Sequence, residues 1–348
     1  MQLEQSLVQW VGNLYAAGLS WWTSLGIPEW VWVALMAVLK GVAVLTFLLL
    51  NVLFLIWLER KVAGRIQRRP GPMHHGPQGI FQTLFDALKL VIKEDIIPSQ
   101  ADKWVFITAP LVMIAPALMI WVVMPFGPDL IARDLNVGLL YVSAVSSFSI
   151  LALIMAGWSS NNKWSTLGAM RSAAQMISYE IPLGLALVAV GMLAGTLSLK
   201  GIVEAQQERT WFLLLQPLGF LVFIVAATAE INRAPFNLPE AESELVAGFN
   251  TEYSGFRWGV FFVAEYANLL FMAGMAATLF LGGWSGPAFL PPFLWWLLKT
   301  YLFVFLIMWV GWTLPRIRVD QLMELGWKFL IPVGLANIAL TGVFVILT

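Results

Sequence analysis

Eight stretches of this chain stay apolar for some twenty residues or more, and that constrains its fold more than anything else in it. They run at about 30–58, 104–126, 137–158, 172–195, 211–230, 256–281, 293–314 and 327–348. A helix rises about 1.5 Å per residue, so each is long enough to cross a hydrocarbon layer about 30 Å thick. Inside such a layer every backbone N–H and C=O must be satisfied within the segment, which selects helix. Charged residues make up 11% of the chain and hydrophobic ones 59%, where soluble domains carry about 25% charged residues. The predicted fold is an all-α integral membrane protein with eight transmembrane helices plus interfacial amphipathic helices.

The polar residues collect in four connections, at 59–103, 159–171, 231–255 and 315–326. With Lys328 just beyond, these connections and the first turns they feed hold fifteen of the twenty Lys and Arg, while the opposite face holds Arg133, Lys200 and Arg209. The positive-inside rule then makes the four loops cytoplasmic and puts both termini on the outer face. Residues 1–29 carry no Lys or Arg, and Leu3, Leu7, Trp10, Val11 and Leu14 recur at helical spacing. They read as a surface helix ahead of a single domain over 30–348. A second amphipathic helix follows a Pro/Gly-rich turn. Ile80, Phe81, Leu84, Phe85, Leu88, Val91 and Ile92 form its apolar stripe, with Gln82, Asp86, Lys89 and Lys93 opposite. Pro110, Pro116, Pro182 and Pro217 fall inside predicted spans and are expected to kink them.

Several functions are excluded. The chain has no cysteine, so it ligates no iron–sulfur cluster and no thiolate zinc. Its two histidines, His74 and His75, are loop neighbours and cannot hold a haem between helices. No glycine-rich phosphate loop follows a strand pattern. A net charge of zero with no long basic run argues against nucleic acid. No internal repeat is visible, which counts against a stand-alone inverted-repeat transporter. Any redox chemistry must borrow its electron carrier from another chain.

What remains is acid. Thr228 to Gly255 carries Glu230, Glu240, Glu242, Glu244 and Glu252 against Arg233 alone, a net charge of −4 between two apolar spans. Asn237 and Glu240 have capping-box spacing, which accounts for one or two of these carboxylates. Lys40, Glu180, Glu265 and Lys299 lie within or near spans, where a lipid-facing charge costs about 2.5–3.5 kcal/mol. Glu180 follows Ser178-Tyr179 and precedes Pro182; Glu265 has Tyr266 beside it and Asn268 one turn on. Carboxylates beside hydroxyls and a proline can hold water and relay protons.

Seven segments in order carry a resemblance. They are Glu59 to Gln67 with the GP…GPQG loop, Asp86 with Lys89-Leu90 and Lys93-Glu94-Asp95, Gly157 to Lys163, Ala174 to Pro182, most of 229–255, Leu281 to Trp284 with Leu298-Lys299, and Pro315 to Gln321. Together they resemble the quinone-chamber membrane component of bacterial respiratory complex I (NADH-quinone oxidoreductase), which joins its electron-carrying and proton-pumping arms. The likeness covers nearly everything after residue 30.

The resemblance implies that the four cytoplasmic loops enclose a chamber for quinone, with Arg60, Arg65, Asp86, Arg233, Phe236, Glu240, Glu242 and Arg316 at or near it. It implies an acidic path through Glu180, Glu230 and Glu265, supported by Glu244, Tyr179, Lys163, Arg171 and Lys299. Quinone would be the substrate, with no cofactor on this chain; FMN and iron–sulfur clusters would sit on partner subunits. Those partners would be soluble quinone-site subunits with the terminal cluster, small membrane subunits and antiporter-like subunits, in a bacterial inner membrane. Two departures stand out: Asn237 replaces the family's Asp, and Gly311-Trp312 precede Thr313 where the family carries Arg. The alternatives are a membrane-bound hydrogenase anchor and an ion transporter acting alone.

Overall fold

The computed structural model describes residues 20, 22–24, 26, 28–239 and 242–347, with the side chains of residues 242 and 243 left aside. The surface helix expected over 1–29 falls almost wholly outside these residues, as does Glu240. The described residues form helices and turns only: α1 (Glu29–Ile66), α2 (Gln82–Ile92), α3 (Lys103–Met119), α4 (Gly138–Ser146), α5 (Phe148–Ser159), α6 (Lys163–Ala194) and α7 (Leu199–Glu208). Then come α8 (Phe212–Leu215), α9 (Pro217–Glu230), α10 (Glu242–Leu245), α11 (Gly255–Phe280), α12 (Pro292–Thr313), α13 (Val319–Glu324) and α14 (Ile331–Leu347). A π-helical turn, Leu325–Leu330, joins the last two into one rod.

Among the described residues, seven helical segments are long and apolar enough to cross a membrane, as a multi-pass membrane protein requires. The expected eighth, 211–230, is interrupted. Pro217 removes an N–H and disfavours helix at the residue before it, so Gln216 takes φ −132° and ψ 61° and separates α8 from α9. Pro217 therefore starts α9 rather than kinking a span, and α9 is a 14-residue helix about 20 Å long. The stretch at 137–158 is also divided, at Ser147 between α4 and α5.

The connections are shorter than expected over 59–103, 159–171 and 315–326. α1 runs on to Ile66. The loop at 159–171 shrinks to three residues because the Asn162 side chain accepts from Trp164 N at 3.0 Å and caps α6, which puts Lys163 and Arg171 on a helix. The loop at 315–326 is largely α13. The capping box expected between Asn237 and Glu240 lies partly outside the described residues; among these, Asn237 Oδ1 is buried without a partner.

α11 is the most enclosed span and packs against α1, α2, α3, α7, α9 and α12; α6 packs against α5, α9 and α14. The apolar interior falls into two clusters. One is built from α1, α6, α9, α11 and α12, the other from α3, α5 and the N-terminal parts of α6 and α11. The apolar stripe of α2 faces away from the bundle, with Phe81, Leu84, Phe85, Leu88 and Val91 exposed, the orientation of a helix lying in a membrane interface.

Candidate functional site

The acids of α1, α6, α9 and α11 come together along the seam between the two apolar clusters. The junction of α4 and α5 supplies two consecutive hydroxyls: Ser147 donates to Glu180 Oε1 on α6, and Ser146, whose hydroxyl donates to Ser143 O, lies close to Glu230 at the end of α9. Glu180 and Glu230 lie within electrostatic reach of each other. Glu230 is buried, and its Oε2 has no partner among the described residues.

Beyond Glu230 lies a cavity of about 30 Å³ lined by Glu230, Asn232, Glu265 and Asn268 together with Met113, Met176 and Phe261. It has room for a water molecule or two and polar partners to hold them. Its apolar lining comes from both clusters, chiefly the second, so it marks the place where the interior divides.

From the cavity the line passes into an ionic knot. Arg233 Nη1 donates to Glu59 Oε1 and Oε2, each at 2.8 Å. Its Nε is 3.0 Å from Glu265 Oε1, an ion pair outside hydrogen-bond angles. Tyr266 donates its hydroxyl to Glu59 Oε2 at 2.7 Å and sets its ring 4.2 Å from the guanidinium carbon. Arg233 and Glu59 are each 14% exposed, so a charge there is tolerable only if paired. Burial opposes the charge on Arg233, but Glu265, Tyr266 and Glu59 outweigh it and raise its pKa well above the ordinary arginine value.

The chain returns from α9 through a turn that Gln175 holds. Its buried Nε2 lies 2.7 Å from Ala229 O, 3.0 Å from Asn232 Oδ1 and 2.9 Å from Phe236 O. Asn232 adopts φ 53°, a left-handed conformation that asparagine tolerates better than most residues. The Phe236 ring lies 5.8 Å from that of Tyr179, tilted 50° to it, and the Tyr179 hydroxyl donates to Leu322 O on α13.

A cleft of about 500 Å³ opens between α1, α2 and α11. Val52, Ile56, Leu90, Phe262 and Val263 line its apolar length, and Arg60, Asp86 and Lys89 stand at one end. Arg60 Nη1 donates to Asp86 Oδ2 at 2.6 Å. Burial pushes the Asp86 carboxyl up, but hydrogen bonds from Arg60 and Gln82 and the charges of Arg60 and Lys89 hold it below its usual value. Such a cleft matches an apolar ligand with a polar head.

The remaining expected residues divide. Arg171 pairs with Glu244 at 2.6 Å, tying α6 to α10. Arg65 and Arg316 are exposed, and Lys163 is exposed with its ammonium 5.3 Å from the Trp164 ring. Lys299 stands apart from the acids: its ammonium donates to Leu281 O, Gly283 O and Ser285 O at 2.7, 3.0 and 2.6 Å, capping the far end of α11. Gly311 lies against the turn after α9, where a Cβ would stand 3.0 Å from Ala234 O. A longer side chain at 311 would press on the loop that carries Arg233.

Sequence reasoning did not single out Glu59 as a site residue, because it reads as the cytoplasmic edge of the first span. It also passed over Ser146 and Ser147. The available signal was two adjacent hydroxyls in the middle of an apolar run.

The sequence matches the NADH dehydrogenase family over residues 39–342. Relatives include the H subunit of the NADH-quinone oxidoreductase of Dehalococcoides mccartyi strain CBDB1, 52% identical over 89% of this chain and 87% of that one. The protein of the same name in Carboxydothermus hydrogenoformans is 50% identical over 87% of each chain. One of the two such proteins of Geobacter metallireducens is 47% identical over 92% of this chain and 98% of that one. With the acid line, the cleft and these relatives, the chain belongs to the NADH dehydrogenase family.

Proposed function

We propose that this chain is a membrane subunit of a proton-translocating NADH-quinone oxidoreductase, and that it couples quinone reduction to proton movement. One observation carries the reading: Glu180, Glu230, Glu265 and Glu59 follow one another, with serine hydroxyls beside the first two, a water-sized cavity between Glu230 and Glu265, and Arg233 paired with Glu265 and Glu59. Among the described residues, the ion pairs that neutralise acids of this line are those of Arg233 with Glu59 and with Glu265.

In this reading α8 and α9 form one interrupted crossing, which makes eight spans with both termini outside. The cleft between α1, α2 and α11 admits the apolar tail of a quinone from the membrane, with Arg60 and Asp86 at its polar end and Phe236, Glu240, Glu242, Arg65 and Arg316 around the chamber. Electrons added to the quinone create negative charge that must be neutralised. A charge within a few ångströms shifts the proton affinity of a carboxylate by about 1–3 pKa units. The Arg233 knot passes that change to Glu265, the cavity water to Glu230, and the serine pair at the α4–α5 junction to Glu180. Partner subunits hold the FMN and iron–sulfur clusters, and antiporter-like subunits receive the change beyond Glu180.

Filling the cleft tests the reading. Val263→Trp in the assembled complex should raise the KM for a long-tailed quinone several-fold and leave a short-tailed analogue nearly unaffected. Equal effects on both would remove the cleft from the account.

A further inference from the structure

A second cavity, of about 300 Å³, opens at the other end of α9 among Leu193, Gln216, Leu218, Asn337, Thr341 and Phe344. It lies about 20 Å along α9 from Glu230 and no part of the acid line reaches it. Three polar side chains line it, all more than nine-tenths buried: Gln216 is 3% exposed, Asn337 4% and Thr341 5%. The Gln216 amide nitrogen is satisfied, donating to Ala189 O and Thr341 Oγ1 at 3.0 Å each. Its Oε1 and Asn337 Nδ2 have no partner among the described residues.

These two orphans are close neighbours. A Cβ on Gly219 would stand 2.9 Å from Asn337 Nδ2 and 3.2 Å from Gln216 Oε1, so they are at most about 6 Å apart. One is an acceptor and the other a donor. A single hydroxyl oxygen between them satisfies both, donating to Gln216 Oε1 and accepting from Asn337 Nδ2. A buried amide atom left unpaired costs about 1–3 kcal/mol, so a group with this chemistry is strongly favoured. Water alone leaves most of the cavity without a fitting occupant, because its walls are mostly leucine, proline and phenylalanine and offer a water few polar partners. Leu218, Leu340 and Phe344 are exposed at its rim, where an acyl chain would lie.

We infer that this cavity binds a membrane lipid whose headgroup carries a free hydroxyl, of the phosphatidylglycerol type. The site is independent of the proposed quinone coupling, so either can fail without the other.

The assembled complex, purified from vesicles of phosphatidylethanolamine with and without phosphatidylglycerol, provides the test, with bound lipid read by native mass spectrometry. The intact chain should retain phosphatidylglycerol, and Gln216→Met with Asn337→Leu should weaken that retention about tenfold or more, since two hydrogen bonds are lost. Gly219→Ala, which keeps both amides and fills the gap between them, should do the same, while Leu302→Ala on another lipid-facing surface should not. Equal retention by all variants would overturn the inference. So would a gain in thermal stability of the double variant in both vesicle types with no change in lipid, the result of a bridging water only. Retention of quinol in place of phosphatidylglycerol would also overturn it.

Discussion

Arg233 and Glu59 are 174 residues apart in sequence, yet one guanidinium nitrogen sits 2.8 Å from both carboxylate oxygens. The pair joins the C-terminal part of α1 to the turn leaving α9 and places a fixed positive charge beside Glu265. The acid line therefore has a defined start, and each charge there depends on the others.

Arg233→Met leaves Glu59 and Glu265 without their cation in a nearly water-free site. Breaking a buried pair this way costs about 3–5 kcal/mol, so the assembled complex should melt several degrees lower and lose quinone-linked activity. Arg233→Lys keeps the charge but cannot meet both carboxylates with planar geometry; it should recover most of the thermal stability and a minority of the activity. Differential scanning of the purified complex, with quinone reduction measured in parallel, separates the two.

Asp86 gives a pH prediction. Its carboxyl titrates lower in the folded chain than in an unfolded one, so the ionised form contributes stability above about pH 4, and that contribution is lost as pH falls through the folded pKa. With Arg60 43% and Asp86 28% exposed, the contribution is on the order of 1 kcal/mol or less. The protection factors of the α2 amides, which divide out the intrinsic pH dependence of exchange, should fall between pH 5 and pH 3, and Asp86→Asn should flatten that dependence.

Gly168 allows α6 to touch the turn at 248–250. A Cβ there would stand 2.6 Å from Gly248 Cα and 2.9 Å from Phe249 N, both backbone atoms that cannot swing aside. Gly168→Ala should cost about 1–3 kcal/mol and break the Ser165 bond to Phe249 O. By shifting α10 it should also weaken the Arg171–Glu244 pair. Loss of that pair can be read as the disappearance of coupling in an Arg171→Ala, Glu244→Ala double-mutant cycle.

Much of the fold was legible because apolar length is a local property. Seven spans and the exposed apolar stripe of α2 could be read from hydropathy and periodicity alone. The loops were overestimated because polarity does not prevent helix: Asn162 caps α6 nine residues before the polar run ends, and Val319–Glu324 is both charged and helical. Glu180, Glu230 and Glu265 stood out as acids among apolar residues. Glu59 did not, because its environment is set by Arg233 and Tyr266, far away in sequence. Lys299 looked like a member of the same set, but intramembrane charge says nothing about which end of a helix it serves; here three carbonyls at the far end of α11 hold it.

The central claim is that the acids on the seam relay the consequence of quinone reduction. Glu180→Gln and Glu265→Gln keep size and most hydrogen bonding while removing the titrating group. Proton uptake and release per quinone reduced, measured with a pH-sensitive dye in vesicles containing the assembled complex, tests the claim most directly. Both variants should lose most of the proton translocation per electron, whatever their rate of quinone reduction; translocation at the unmodified ratio in both would contradict the account.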